Sequence, residues 1–295
     1  MQNYVMLIGA VVLLAMDFVC QKLYQRYNGC SLESGLKFNI ILGFLKTIIF
    51  YFINGLKIEI TVFSLIMAMV SAILTVSYTI IAFKLFSLGE MAYYTFFLMT
   101  GGMTVPYVWG LIFLDEPLSL LRTIGLFIIV FSIFIINAKG AKFNKKQIFL
   151  FGAIFVLNGF VSVTSKMHQI SSLPIVSSEG FVLLSGVMKA AVCLPVYLTM
   201  RMKNINSERN NNNNCKNSTY KIISIVSASA LIGGLSYLLQ LKGAETLPAT
   251  VLYPIITGGG IIFSALAGWI CFKEKPTKQL VFGILICFIG TCMFL

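Results

Sequence analysis

Three ionisable side chains, Lys46, Lys189 and Asp17, stand inside apolar sequence that offers them no ordinary use. Each lysine lies about ten residues from either end of its apolar stretch, and so about 15 Å from either interface at 1.5 Å per helical residue. A lysine cannot snorkel that far. An isolated ammonium in hydrocarbon is costly, so each must face a wet cavity, a carboxylate or a helix carbonyl. Brought together near the midplane, the pair would present positive charge to an anionic or zwitterionic small molecule. The alternative is internal neutralisation, with Asp17 and Glu179 as the partners. Asp17 is the only acid well inside the first half of the chain, five positions before Lys22 on the same stretch. It is either a titrating coupling site or a permanent salt-bridge partner.

Around these charges stand polar and helix-modifying residues. Tyr94, Tyr107 and Tyr253, with Thr104, are candidates to line a substrate site. Gly101, Gly102, Gly258 and Gly259 fall mid-stretch near Pro106 and Pro254. Glycine lets helices approach closely, and proline frees a backbone carbonyl that needs a partner in protein or cavity. Tight packing and a flexible gating point are the two readings of this set. Glu90 and Glu179 sit near helix starts, where the helix dipole favours acids. Lys84 and Lys242 end matching stretches as interfacial anchors or gates. His168, the single histidine, is expected at an interface. Seven cysteines show no metal-ligand spacing and no disulfide framework, and no metal or other cofactor is expected.

The elements that must position these groups come as two copies. Gly43-Phe44-Leu45-Lys46 and Gly186-Val187-Met188-Lys189 are 143 positions apart, as are Gly9-Ala10 and Gly152-Ala153. Further along, Ser77-Tyr78 matches Ser236-Tyr237, Lys84 matches Lys242, Thr100-Gly101-Gly102 matches Thr257-Gly258-Gly259, and Gly125 matches Gly283, at offsets of 157 to 159. The difference is an insertion, the Asn-rich low-complexity loop 201–220.

The chain is 58% hydrophobic and 11% charged, with a mean hydropathy of +0.91. A soluble domain carries about 25% charged residues. Ten stretches are long enough to span a bilayer, from 4–24 through 276–295. The first lacks a basic leader and an Ala-x-Ala-like cleavage site, and is expected to remain as a span. The net charge of +12 is spread over short connections beside apolar spans, a pattern of membrane orientation and not of nucleic-acid binding. The odd-numbered connections hold 16 Lys and Arg, and the even-numbered ones four: Lys57, Arg122, Lys166 and Lys242. By the positive-inside rule the odd connections are cytoplasmic and both termini lie outside. Five spans per copy make the halves an inverted repeat.

Residues 86–126 read as a polar-tipped turn, a Gly-rich span with Pro106, the loop Asp115-Glu116-Pro117-Leu118-Ser119 and a last span with Gly125. Residues 243–295 repeat the scheme with Leu247-Pro248-Ala249, Tyr253-Pro254, Gly258 to Gly260, the loop Lys273-Glu274-Lys275-Pro276-Thr277 and Gly283. This resembles the EamA branch of the drug/metabolite transporter superfamily, over nearly the whole chain. The resemblance implies an all-α integral membrane protein of ten transmembrane helices in two inverted five-helix repeats, 1–140 and 141–295, that moves small metabolites by alternating access. Members of that family commonly keep both termini in the cytoplasm, whereas loop charge here predicts the reverse. The start, 1–22, is similar to the small multidrug-resistance branch, whose membrane-embedded glutamate would fall near Leu14, with Asp17 about one turn away.

The expected function is therefore secondary transport, as an exporter in the cell membrane, of a small polar metabolite that is amino-acid-like or anionic. Proton or counter-substrate coupling stays open, and the partners are the substrate and membrane lipid. Alternatives are a multidrug or lipophilic-cation exporter, for which an uncompensated deep acid is expected, and a flippase of a lipid-linked substrate. An enzyme is not expected. His-Glu-x-x-His and the nucleotide-binding Gly-x4-Gly-Lys-Ser/Thr are both absent.

Overall fold

The computed structural model describes residues 2–29, 31–86, 91–137, 145–205, 219–273 and 277–294. Glu90 and residues 206–218 of the Asn-rich loop lie outside the described residues, as does the side chain of Lys84. The helices in chain order are α1 (Gln2–Asn28), α2 (Leu32–Ile53), α3 (Val62–Phe86), α4 (Met91–Phe113), α5 (Leu120–Asn137), α6 (Lys145–Gln169), α7 (Ser178–Ile205), α8 (Thr219–Thr246), α9 (Ala249–Phe272) and α10 (Lys278–Cys292). Among the described residues there is no strand. Among the described residues, eight of the helices are long and apolar enough to cross a membrane. The exceptions are α5 and α10, at 18 and 15 residues, apolar but shorter than the ~20 residues a 30 Å core takes. Hydropathy predicts ten full-length spans, and the difference lies in α5, described as Leu120–Asn137, and α10, described as Lys278–Cys292.

Helix ends follow local chemistry. Ser31 caps α2 by accepting from the Ser34 amide, and Thr277 caps α10 by accepting from the Leu280 amide. Gly29 and Gly55 take positive φ just past the ends of α1 and α2, where a side chain would be strained. Large apolar side chains stay exposed along many of the helices, such as Phe127 and Phe131 on α5 and Phe282 and Phe288 on α10. That surface suits lipid as its solvent, since the backbone polar groups are satisfied within the helices.

Small residues set the close crossings. A Cβ on Gly43 would lie 2.7 Å from the Gly186 carbonyl oxygen, and one on Gly186 would lie 2.9 Å from that of Gly43. Helices α2 and α7 therefore touch backbone to backbone, at the residues that begin the two lysine motifs. On the α5–α10 pair, Gly125 and Gly290 meet in the same way. Gly101 and Gly159 join α4 to α6, where a Cβ on Gly101 would fall 2.2 Å from the Phe155 carbonyl oxygen. Gly101→Ala is accordingly expected to destabilise the protein by about 1–3 kcal/mol, the usual range for overpacking. A thermal melt of the detergent-solubilised variant reads this, and an unchanged melt would mean that the crossing relaxes freely.

Helix directions place the even-numbered connections at one end of the bundle and the odd-numbered ones at the other. At the even end, Ser177 binds Asn54 and Glu59, and Glu116 binds the start of α9. At the odd end, the Lys22 ammonium and Arg26 guanidinium stand over the Phe272 ring at 4.7 and 4.4 Å.

Candidate functional site

A cavity of about 970 Å³ opens between the helices and runs from mid-bundle to the odd end, where Lys22, Ser31 and Thr277 line it. Asp17, Lys46, Lys189, Tyr94, Tyr253 and Gly102 all border it. The carboxylate of Asp17, 8% exposed, accepts from Ser229 Oγ at 2.5 Å and Gln21 Nε2 at 2.8 Å. Helix α8 comes this close because Gly233 faces the carboxylate, where a Cβ would sit 2.8 Å from Asp17 Cγ. Lys46 Nζ lies 4.7 Å from the centroid of the Tyr237 ring, a cation–π contact. Among the described residues, no ion pair joins Lys46 or Lys189 to a carboxylate. All three side chains border the same cavity. Glu179, the other partner considered for the lysines, is held instead by Lys242 at 2.6 Å. Lys242 is thereby engaged in an ion pair.

The tyrosines divide. Tyr253 hydroxyl donates to the Ser162 carbonyl at 2.5 Å, and the Tyr237 hydroxyl shares a hydrogen bond of 2.9 Å with Ser165 Oγ. Both fix their rings in the cavity wall. Tyr107 stands apart: it is buried in an apolar cluster with Met103 and Leu126, and its hydroxyl bonds Thr123 at 2.9 Å. The face of α4 that carries Tyr107 turns toward α5, while Tyr94 and Gly102 turn toward the cavity. Thr104 and Pro106 also lie off the cavity. Pro106 and Pro254 are both buried within helices that continue through them. Gly258 meets Thr291 of α10 and Gly259 meets Val11 of α1, so this glycine pair packs α9 on its neighbours. Beside Gly102, Asn158 Nδ2 donates to the Leu98 carbonyl at 2.7 Å.

The even end carries polar groups whose roles sequence reasoning missed. Lys166, 5% exposed, donates to the carbonyls of Ala244 and Leu247, both at 2.7 Å, and so caps the end of α8. Its inclusion among loop charges is corrected: it is a buried capping group. Glu116 accepts from the backbone amides of Ala249 and Thr250 at 2.6 and 2.8 Å, closing the start of α9. The expectation of an interfacial His168 is also corrected. It is fully buried, hydrogen-bonded to Ser64 Oγ at 2.8 Å and stacked on Phe181 at 3.7 Å. Ser178 donates to Glu245 at 2.5 Å and to Gln169 at 3.1 Å. The polar residues Thr164, Ser165, Lys166, His168 and Gln169 near the end of α6 were the available signal, but the partners are scattered along the chain. Among the described residues no cluster of His, Cys, Asp and Glu has the makings of a metal site.

The model of the EamA-like transporter family matches residues 145–295. The chain belongs to the EamA-like transporter family. That family is part of the drug/metabolite transporter superfamily, so the protein is a multi-pass membrane transporter. A crystal structure 12% identical to this EamA-like chain superposes with a TM-score of 0.73, covering 99% of this chain and 96% of that one. At that identity the likeness concerns the fold alone. No curated protein matches the sequence.

Proposed function

We propose that this EamA-like protein is a secondary transporter of a small carboxylate-bearing metabolite, amino-acid-like or otherwise anionic, exported by alternating access through the central cavity. The observation that carries the reading is the unequal engagement of the three charges. Asp17 already has two hydrogen-bond donors, while among the described residues neither Lys46 nor Lys189 has an ion-paired carboxylate. A carboxylate entering the cavity would complete the electrostatics, with the aromatic walls of Tyr94, Tyr237 and Tyr253 taking its apolar part. Lys22 at the mouth of the cavity, with Arg26 close by on the same Phe272 ring, favours the same sign of solute.

In this reading the halves 1–140 and 141–295 are inverted five-helix repeats. Helix pairing supports it: α2 packs on α7 and α5 on α10, and each of α1–α8, α2–α8 and α1–α9 has a counterpart in α3–α6, α3–α7 and α4–α6. The excess of basic residues in the odd connections assigns them to the cytoplasm, so the cavity opens inward, in the cell membrane. Coupling is to a proton through Asp17 or to a counter-substrate bound at the same lysines.

The test is thermal stabilisation of the purified protein by a panel of amino acids, organic anions, sugar phosphates and lipophilic cations. Stabilisation by carboxylates that disappears when Lys46→Met and Lys189→Met are combined is the expected result. Stabilisation by lipophilic cations alone, dependent on Asp17, would replace this reading with a multidrug exporter.

A further inference from the structure

The two lysines are equivalent in sequence but not in surroundings. Lys46 stands over the ring of Tyr237, whereas among the described residues no contact of that kind holds Lys189. Resting on the proposal that the cavity is the transport site of an inverted repeat, we infer that the lysines exchange roles during the cycle. Lys189 receives the substrate anion from the odd end while Lys46 is parked on Tyr237. When the even end opens, Lys189 parks on Tyr78 and Lys46 faces the anion.

Three features lead to this. First, α2 and α7 cross at Gly43 and Gly186, backbone on backbone. They run antiparallel, since the end of α2 at Asn54 meets the start of α7 at Ser177. Each lysine is three residues beyond its glycine, so the two Cα atoms leave the crossing in opposite directions. At 1.5 Å per residue that is a stagger of about 9 Å along the bundle. Lys189 is displaced toward the odd end, where the cavity opens, and Lys46 toward the closed even end. Secondly, the parking ring is fixed: Tyr237 hydroxyl is tied to Ser165 on α6 at 2.9 Å. Thirdly, the ring has a counterpart. Ser77-Tyr78 is the repeat match of Ser236-Tyr237, and Tyr78 also borders the cavity, on α3 toward the odd end. The operation that carries Lys46 onto Lys189 carries Tyr237 onto Tyr78.

The consequence is a sided site. At each stage one ammonium is exposed to the solute and the other is shielded against an aromatic face, which limits the positive charge presented at one time. A cation–π contact serves this better than a carboxylate, because it is weak enough to be released each cycle.

The experiment needs no knowledge of the substrate. Lys46→Cys and Lys189→Cys are placed singly in proteoliposomes, and 2-sulfonatoethyl methanethiosulfonate is applied to one face at a time. Mass spectrometry of the peptide carrying position 46 or 189 reads the reaction, so the natural cysteines are left in place. The thiol introduced by Lys189→Cys should react at least ten-fold faster from the odd-connection face, and that of Lys46→Cys at least ten-fold faster from the other. Equal rates from both faces, or both positions reached from the same face only, would overturn the exchange. In parallel, a short bis-methanethiosulfonate is applied to Lys46→Cys/Tyr237→Cys and to Lys189→Cys/Tyr78→Cys. Both pairs should cross-link in membranes. A first pair that links while the second never does would also overturn it. Sided failure with carboxylate stabilisation intact removes the exchange alone, whereas absence of carboxylate stabilisation removes the transport reading itself.

Discussion

Lys189→Met is expected to reduce carboxylate transport by two to three orders of magnitude while leaving the protein inserted and at least as stable as the parent. Removing one partner of a desolvated charge pair leaves the other uncompensated, at about 3–5 kcal/mol, and every ~1.4 kcal/mol is a factor of ten in affinity. In the transporter the group left stranded is the carboxylate of the solute. The stability half of the expectation has the opposite sign. An ammonium with no ion partner inside a membrane protein weakens the folded state, and methionine has a similar length without the charge. Lys46→Met should behave alike in transport but lose a little stability with its contact to Tyr237, about 0.5–2 kcal/mol by the usual range of cation–π pairs. Flux into proteoliposomes and thermal melts, measured on the same preparations, separate the two effects. Unchanged flux in both variants would remove the lysines from the transport site, and a steep fall in melting temperature for Lys189→Met would make that residue structural.

Much of this site was legible because depth in an apolar helix is a one-dimensional property. Lys46, Lys189 and Asp17 could be found by counting residues from the ends of their spans, and all three border the cavity. Which face a residue takes is legible only where its helix has one obvious interior. Tyr94 and Tyr107 are on the same helix, yet one lines the cavity and the other bonds Thr123, because α4 is packed on both sides. Helix limits slipped for a related reason. Hydropathy ends the first span at Tyr24, but α1 continues to Asn28, since its last turn leaves the apolar layer without any break in its hydrogen bonds. Burial of polar groups near helix ends was the least legible. His168 is paired with Ser64, 104 positions away, and Lys166 with carbonyls 78 and 81 positions away. Nothing local distinguishes such residues from ordinary interfacial ones. The loop that resembles the family pattern was visible, but the reason for its acid was not: Glu116 serves amides 133 and 134 positions further along.

Glu116→Ala is expected to destabilise the protein by about 3 kcal/mol, the largest loss among substitutions outside the cavity. Its carboxylate holds the amides of Ala249 and Thr250, residues only 1% exposed. Hydrogen bonds to a charged group contribute about 1.5–3 kcal/mol each, and the half-buried position of Glu116 argues for the lower figure. Glu116→Gln keeps one acceptor and should recover roughly half of the loss. The turn between α8 and α9 is held from its other side by Lys166, through the carbonyls of Ala244 and Leu247. One acid on the amino end of α9 and one base on the carboxyl end of α8 both match the helix dipoles they meet. If they hold a single rigid turn, Glu116→Ala and Lys166→Met should not add: once one clamp is lost, the turn frays and the second has less to hold. A double-mutant cycle on thermal melts should then show a coupling of at least about 0.5 kcal/mol. Strict additivity would mean that each residue caps its own helix independently, and that the polar groups at the even end do not act as a unit.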